Sequence, residues 1–329
     1  MTAASERGSA LLSARLASHA RQLTGSEPAV GPILVGDGAA LIDEDAGRIV
    51  FLASPDNPAA AFGHLVLLAA RHRLNEAVVI YDDRSAAAVA TRRSVAFDPA
   101  PTVQLAQGTV LNQVDLAPLP EPPPTTAPPP GFVDLCRQAG VNPIQEGGIW
   151  RGELLGLEVA RATPSGIEIG VGRLDREAGV VLHGHRPAAE SLMSVVATVQ
   201  TQRRPGAGSH PLATLVRERW LRSDLITDPS PLGLVSLTAV DPVETPSGLR
   251  DSVPAAAIGI DPSGERVLVV CSVGADPDLV PVVADLVLRE DPDRLLVVLP
   301  FRDVLPTVVC AVGRLAVRSE VVGLRGGWS

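Results

Sequence analysis

The chain has 329 residues, 46% of them apolar but only 3% aromatic, with a net charge of −9 at pH 7. That is ample aliphatic material for folded α/β cores in two domains, by the ~100–200 residue rule. It excludes a disordered chain and argues against a general binder of nucleic acid or acidic membrane.

All 28 basic residues are arginine. A chain without lysine cannot form a Schiff base, make the Walker A phosphate contact or complete the usual acidic-x-Lys nuclease centre. Arginine is no substitute where a proton must be lost, because its pKa stays above ~12. The three cysteines, Cys136, Cys271 and Cys310, fit no zinc spacing and read as small buried hydrophobes of a reducing compartment.

In chain order, Ser9 to Leu23 reads as a helix in which Arg15 and Arg21 interrupt the apolar stretch, so it is neither signal peptide nor membrane anchor. No run elsewhere reaches the ~18 apolar residues of a membrane span, and a cytoplasmic protein is expected. The strand PILVG follows, then ALIDEDAGRIVFLASPDNPAAAFGHLVLLAARHRLNEAVVIYDD, residues 40 to 83. This segment reads strand, turn, apolar strand, helix, apolar strand, with a further helix near Ser85 to Thr91 and the strand PTVQLAQG.

Residues 117 to 131, APLPEPPPTTAPPPG, hold eight prolines. They forbid helix or central strand and predict an extended, exposed polyproline spacer with few contacts. The domains expected around it are an N-terminal α/β unit (1–116), the linker (117–131), a middle α+β module (132–204) and a C-terminal α/β unit (205–329).

The middle module predicts a short helix (FVDLCRQAG), strands LLGLEVARA and GIEIGVGRL, and a helix from Pro187 to about Gln202. Alternation puts Glu158 and Glu168 together on the solvent side or in a groove. Next comes the densest polar cluster: Arg173, Asp175, Arg176, Glu177, His183, His185 and Arg186. The second basic stretch, Arg203 to Arg222, reads as an amphipathic helix from Pro211 with a Glu218–Arg222 pair and a buried face of Leu212, Leu215, Val216 and Trp220.

The C-terminal unit repeats the first pattern in AIGIDPSGERVLVVCSVGADPDLVPVVADLVLREDPDRLLVVLPF, residues 257 to 301. Asp43 matches Asp261, Gly47 Gly264, Ser54 Ser272 and Pro58 Pro277. Asp278 and Asp303 read as helix N-caps. The fold class predicted is α/β: two related three-layer α/β/α units in αβββαβ order, that of the restriction-endonuclease-like fold, with a middle α+β module.

Nucleases of that order place carboxylates and a lysine around a divalent metal. Here the lysine is missing and the third strands, RIVFLAS and RVLVVCS, are apolar. A non-catalytic or degenerate binding or assembly protein is therefore the first expectation, with a protein partner or self-association and no cofactor. The rival is a nuclease-like, metal-dependent phosphate-processing enzyme using Glu158, Glu168, Asp175 and Glu177. In that reading His183 and His185 ligate a metal, and Arg173, Arg176 and Arg186 meet an anion.

The segments VGVGRLDREAGVVLHG, RRPGAGSHPLATLVRERWLR and VLVVCSVGADPDLVP resemble a set of conserved hypothetical proteins of actinobacteria. The resemblance spans most of the middle and C-terminal parts. It implies a cellular setting and carries no known activity, substrate or catalytic residues.

Overall fold

The structure is a computed structural model that describes residues 3–173, 175–176, 186–204, 210–243 and 253–328. It is a mixed α/β protein with three sheets. The chain forms two compact units, each assembled from discontinuous segments.

The first unit comprises residues 1–119, 276–291 and 304–320. Its six strands, β1 (Ile33–Val35), β2 (Gly38–Asp43), β3 (Arg48–Leu52), β4 (Glu76–Tyr81), β5 (Thr102–Gln107) and β6 (Val110–Asn112), lie side by side in chain order. β1 to β3 are antiparallel, β3 to β5 parallel, and β6 turns back antiparallel. Alternation decides the faces. Leu41, Val50, Leu52, Val78, Ile80 and Ala106 form a core with Leu16 and Ala20 of α1 (Ala3–Thr24). The intervening residues, Ile49, Phe51, Val79 and Tyr81, are buried as well, and α2 (Ala61–Arg71) packs on β3 and β4. Helix α3 (Arg84–Ser94) starts with the Asp83 carboxylate accepting the Ala86 N–H at 2.7 Å.

Two later helices, α8 (Leu279–Glu290) and α9 (Pro306–Val312), complete this unit by packing on α2 and α3. A Cβ on Gly63 of α2 would lie 2.3 Å from the Pro277 carbonyl oxygen, so the start of α8 can approach only a glycine. At the centre of the helix contact, Asp285 of α8 is 0% exposed. It accepts from Arg92 Nε (2.8 Å), Arg92 Nη2 (3.0 Å) and Arg93 Nε (2.8 Å), and the Pro118 carbonyl takes Arg92 Nη1.

The second unit comprises residues 120–275, 292–303 and 321–329. An antiparallel sheet of β7 (Asn142–Glu146), β8 (Ile149–Leu154), β9 (Leu157–Thr163) and β10 (Gly166–Ile169) is ordered β10-β9-β8-β7. Helices α4 (Phe132–Gln138) and α5 (Ala188–Gln202) close an aliphatic core with it around Phe132, Leu157, Val159, Leu192 and Val199. A second sheet runs β11 (Ser236–Ala239), β12 (Ala255–Ile260), β13 (Arg266–Cys271), β14 (Arg294–Pro300), β15 (Arg318–Leu324) in chain order. Its first three strands are antiparallel and β13–β14 is parallel. Helix α7 (Arg217–Thr227) packs on β11 to β13, burying Trp220, Leu221 and Leu225.

Several expectations are corrected. The strand LLGLEVARA is two strands joined by a tight turn at Leu155-Gly156, where φ is +48° and +80°. Trp220 N lies 2.3 Å from where a Cβ on Gly156 would sit, so the hairpin tip abuts α7. The helix expected from Pro211 is instead α6 (Pro211–Thr214) and α7, broken at Val216 with φ +40°. Asp303 does not cap α9. Leu305 occupies that position, and Asp303 Oδ2 accepts the Gly274 N–H at 2.8 Å. Cys310 is exposed, while Cys136 and Cys271 are buried.

The proline-rich stretch carries no helix or strand and its residues 120–128 are exposed, but it is not poor in contacts. Besides Pro118, Ala117 donates to the Ala88 carbonyl, and Pro124 and Thr126 bond to Gln145 and Trp150.

Removing the Asp285 carboxylate takes away the counter-charge shared by two buried guanidinium groups. Asp285→Ala is expected to cost about 3–5 kcal/mol in urea denaturation. Glu76→Ala, which removes the half-exposed partner of Arg48, should cost less than about 1 kcal/mol. Equal losses from the two variants would refute the asymmetry.

Candidate functional site

Strand β9 places Glu158 on the sheet face opposite the apolar core, where a carboxylate with 6% exposure must be paired. Three arginines pair it. Arg161 approaches in a fork (Nε to Oε1 2.7 Å, Nη2 to Oε2 3.0 Å), Arg176 Nη1 reaches Oε1 at 2.8 Å, and Arg151 Nε lies 3.3 Å from Oε2. Arg151 and Arg161 are cross-strand neighbours, and so are Arg161 and Glu168. Like charges placed directly opposite repel, and Glu158 bridges them. Glu168, with its side chain 38% exposed, lies 3.5 Å from Arg176 Nε.

Of the residues singled out from sequence, the fold therefore brings together Glu158, Glu168 and Arg176. Glu158 is buried rather than solvent-facing. Asp175 turns away from this cluster: its Oδ2 accepts the Val171 N–H at 2.7 Å and closes the bend after β10. Arg173 and Arg186 are exposed. Glu177, His183 and His185 lie outside the described residues. Among the described residues, no group of three or more His, Cys, Asp or Glu side chains is placed to hold a metal ion.

The network continues through Glu146, Arg151 and Glu153, which sequence reasoning passed over, and through Arg219 and Arg222 of the second basic stretch. Arg151 also feels Glu146. Glu146 pairs with Arg219, and Arg222 Nη2 sits 2.9 Å from Glu153 and 3.6 Å from Glu146. Arg222 is 1% exposed, so it joins strands β7 and β8 rather than forming the local pair with Glu218. The signal for this face was present in IQEGGIWRGEL. Gly147 and Gly148, at φ +63° and +73°, are the two-residue turn of a hairpin flanked by charged and aromatic residues.

Arg203 is the other organising cation. Its three nitrogens donate to the carbonyls of Leu155, Leu212 and Leu215, and its guanidinium lies 5.0 Å from the Trp220 ring centroid. Burial pushes its pKa down to about 10. Cys271, entirely buried, is pushed up to about 12 by desolvation, which keeps it a protonated, unreactive thiol.

In the first unit, Gly36, Asp37, Gly38, Phe51, Ser54, Asn57 and His64 line a cavity of about 40 Å³ beside the end of β3. A water takes ~30 Å³ and small-molecule sites span ~300–1,000 Å³. This cavity has room for water. Comparison with family models, with curated proteins and with solved structures found no match for the chain.

Two buried glutamates should respond oppositely to pH. Burial raises the pKa of Glu146, but Arg219, Arg222 and Arg151 outweigh it and hold the group below the ordinary carboxylate range. Its stabilisation is present above the unfolded value of ~4.3 and is lost as pH falls through the folded value. Glu218 is pushed up by burial. Its contribution is complete below ~4.3 and is lost as pH rises through the folded value. Glu146→Gln should therefore lower Tm at pH 7 with a deficit that shrinks toward pH 4, whereas Glu218→Gln should raise Tm at pH 7 and lose that gain at pH 4. Thermal melts at both pH values measure the contrast.

Proposed function

We propose that this chain is a non-catalytic binding or assembly protein built on two related αβββαβ units of restriction-endonuclease-like order. Support for the relatedness is topological. Both sheets run in chain order, with three antiparallel strands followed by a parallel one. The first is preceded by α1 and has α2 between β3 and β4; the second is preceded by α7 and has α8 between β13 and β14 in chain order, although α8 packs within the first unit.

The observation that carries the non-catalytic reading is the state of Glu158. A carboxylate serving a metal or a water needs a free lone pair pointed at it, and both oxygens of Glu158 are taken up by Arg151, Arg161 and Arg176. The corresponding third strands of the two flanking units, β3 and β13, are buried along nearly their whole length and present aliphatic side chains. The arginine networks then act as structure, joining strands and helices. The three cysteines are unpaired, in keeping with a reducing, cytoplasmic setting.

Hydrolysis of single- and double-stranded DNA and RNA and of bis(p-nitrophenyl) phosphate, each with Mg²⁺ or Mn²⁺, tests the reading. No turnover above a protein-free control is expected, and Glu158→Gln should lower the thermal midpoint by several degrees. Metal-dependent hydrolysis that disappears in Glu158→Gln while the midpoint is unchanged would establish the enzymatic alternative.

A further inference from the structure

The grip on the proline-rich segment is built in its middle, within the second unit. A polyproline helix has no internal hydrogen bonds, so its carbonyl oxygens stand free, and surfaces that recognise it offer aromatic rings and side-chain donors. The β7–β8 hairpin offers both. Gln145 and Trp150 are direct cross-strand partners. The Trp150 indole N–H donates to the Thr126 carbonyl at 2.9 Å. Gln145 Nε2 donates to the Pro124 carbonyl at 3.3 Å and to Thr126 Oγ1 at 3.0 Å, while Gln145 Oε1 accepts the Thr126 N–H at 3.3 Å. At the hairpin tip Pro123 lies 3.3 Å from where a Cβ on Gly148 would sit, so a side chain there would press on the proline.

Three features distinguish this from the anchoring of a plain spacer. Most of the contacts go to backbone atoms, which any proline-rich chain presents. They impose a register, because the Thr126 N–H is used and proline cannot supply it. And residues 120–128 remain exposed while bound, so little apolar area holds them and the segment belongs to the readily opened parts of the fold.

We propose that the Gln145–Trp150 face of the β7–β8 hairpin is a reader of proline-rich segments, occupied here by residues 123–126 of the same chain. A partner protein carrying a Pro-Pro-x-nonPro stretch displaces them. This rests on the reading of the chain as a binding protein and names its partner class. The tethered segment competes at an effective concentration of the order of mM, so the intact chain is self-blocked until a multivalent or abundant partner arrives.

The test uses the full chain with residues 121–127 replaced by Gly and Ser at equal length. Its probe is a fluorescein-labelled peptide, LPEPPPTTAPPP, followed by anisotropy. The replaced chain should bind the peptide at least tenfold more tightly than the wild type. A peptide carrying Thr126→Pro should bind at least tenfold more weakly, and Trp150→Phe, which keeps the ring and removes the N–H, should weaken binding several-fold.

The proposal is overturned if the replaced chain, folded by circular dichroism, shows no binding up to 1 mM. It is equally overturned if both peptides bind alike. A wild-type dimer abolished by Trp150→Phe would assign the surface to a second copy of this chain and overturn the partner-protein assignment. None of these failures touches the non-catalytic reading, which metal-dependent hydrolysis alone would overturn.

Discussion

A buried guanidinium keeps its charge at neutral pH, and this chain has no lysine to share the task. Each arginine taken out of water must therefore find carboxylates or carbonyls that face it. Arg92 and Arg93 find Asp285. Arg151, Arg161 and Arg176 find Glu158, Arg219 and Arg222 find Glu146 and Glu153, and Arg203 takes three carbonyls. With so few aromatic residues the cores are aliphatic and weakly directional, and it is these charged joints that specify which strand and which turn meets which helix.

That constraint also accounts for the local oddities. The break between α6 and α7 presents the Leu212 and Leu215 carbonyls to Arg203, and the Leu155-Gly156 turn presents a third. A continuous helix would have used the Leu212 carbonyl for its own ladder. The same logic pairs Glu158, the buried carboxylate of the predicted site, with its three arginines. Gln145 and Trp150 meet backbone atoms of Pro124 and Thr126 instead.

Much of the α/β architecture was legible in the sequence because it rests on local signals. Alternating and continuous apolar strands, the helix near Ser85 to Thr91 and the eight-proline stretch report neighbours close in the chain. The charged face was not legible, because its partners are remote: Arg222 pairs with Glu153 across 69 residues, whereas Glu218, four residues away, offered the obvious local pairing. Strand β8 was merged with β9 because Leu154-Leu155-Gly156-Leu157 reads as one apolar run, and only the positive φ of Leu155 and Gly156 reveals the turn. Within the predicted site, Glu158, Glu168 and Arg176 converge and Asp175 closes a local bend.

The discontinuity of the first unit bears on how the protein is made. Helices α8 and α9 come from residues 276–291 and 304–320, yet they complete a unit whose sheet is finished by residue 112. At ~5–20 residues per second, roughly 10–40 s pass between synthesis of that sheet and emergence of the helices that pack on α2 and α3. During this interval Arg92 and Arg93 have no Asp285, and the face of α2 that receives α8 is open to water. The nascent N-terminal third cannot close on residues 1–119 alone: synthesis has to pass the linker and the whole second sheet region and reach residue 320 before the first unit is complete.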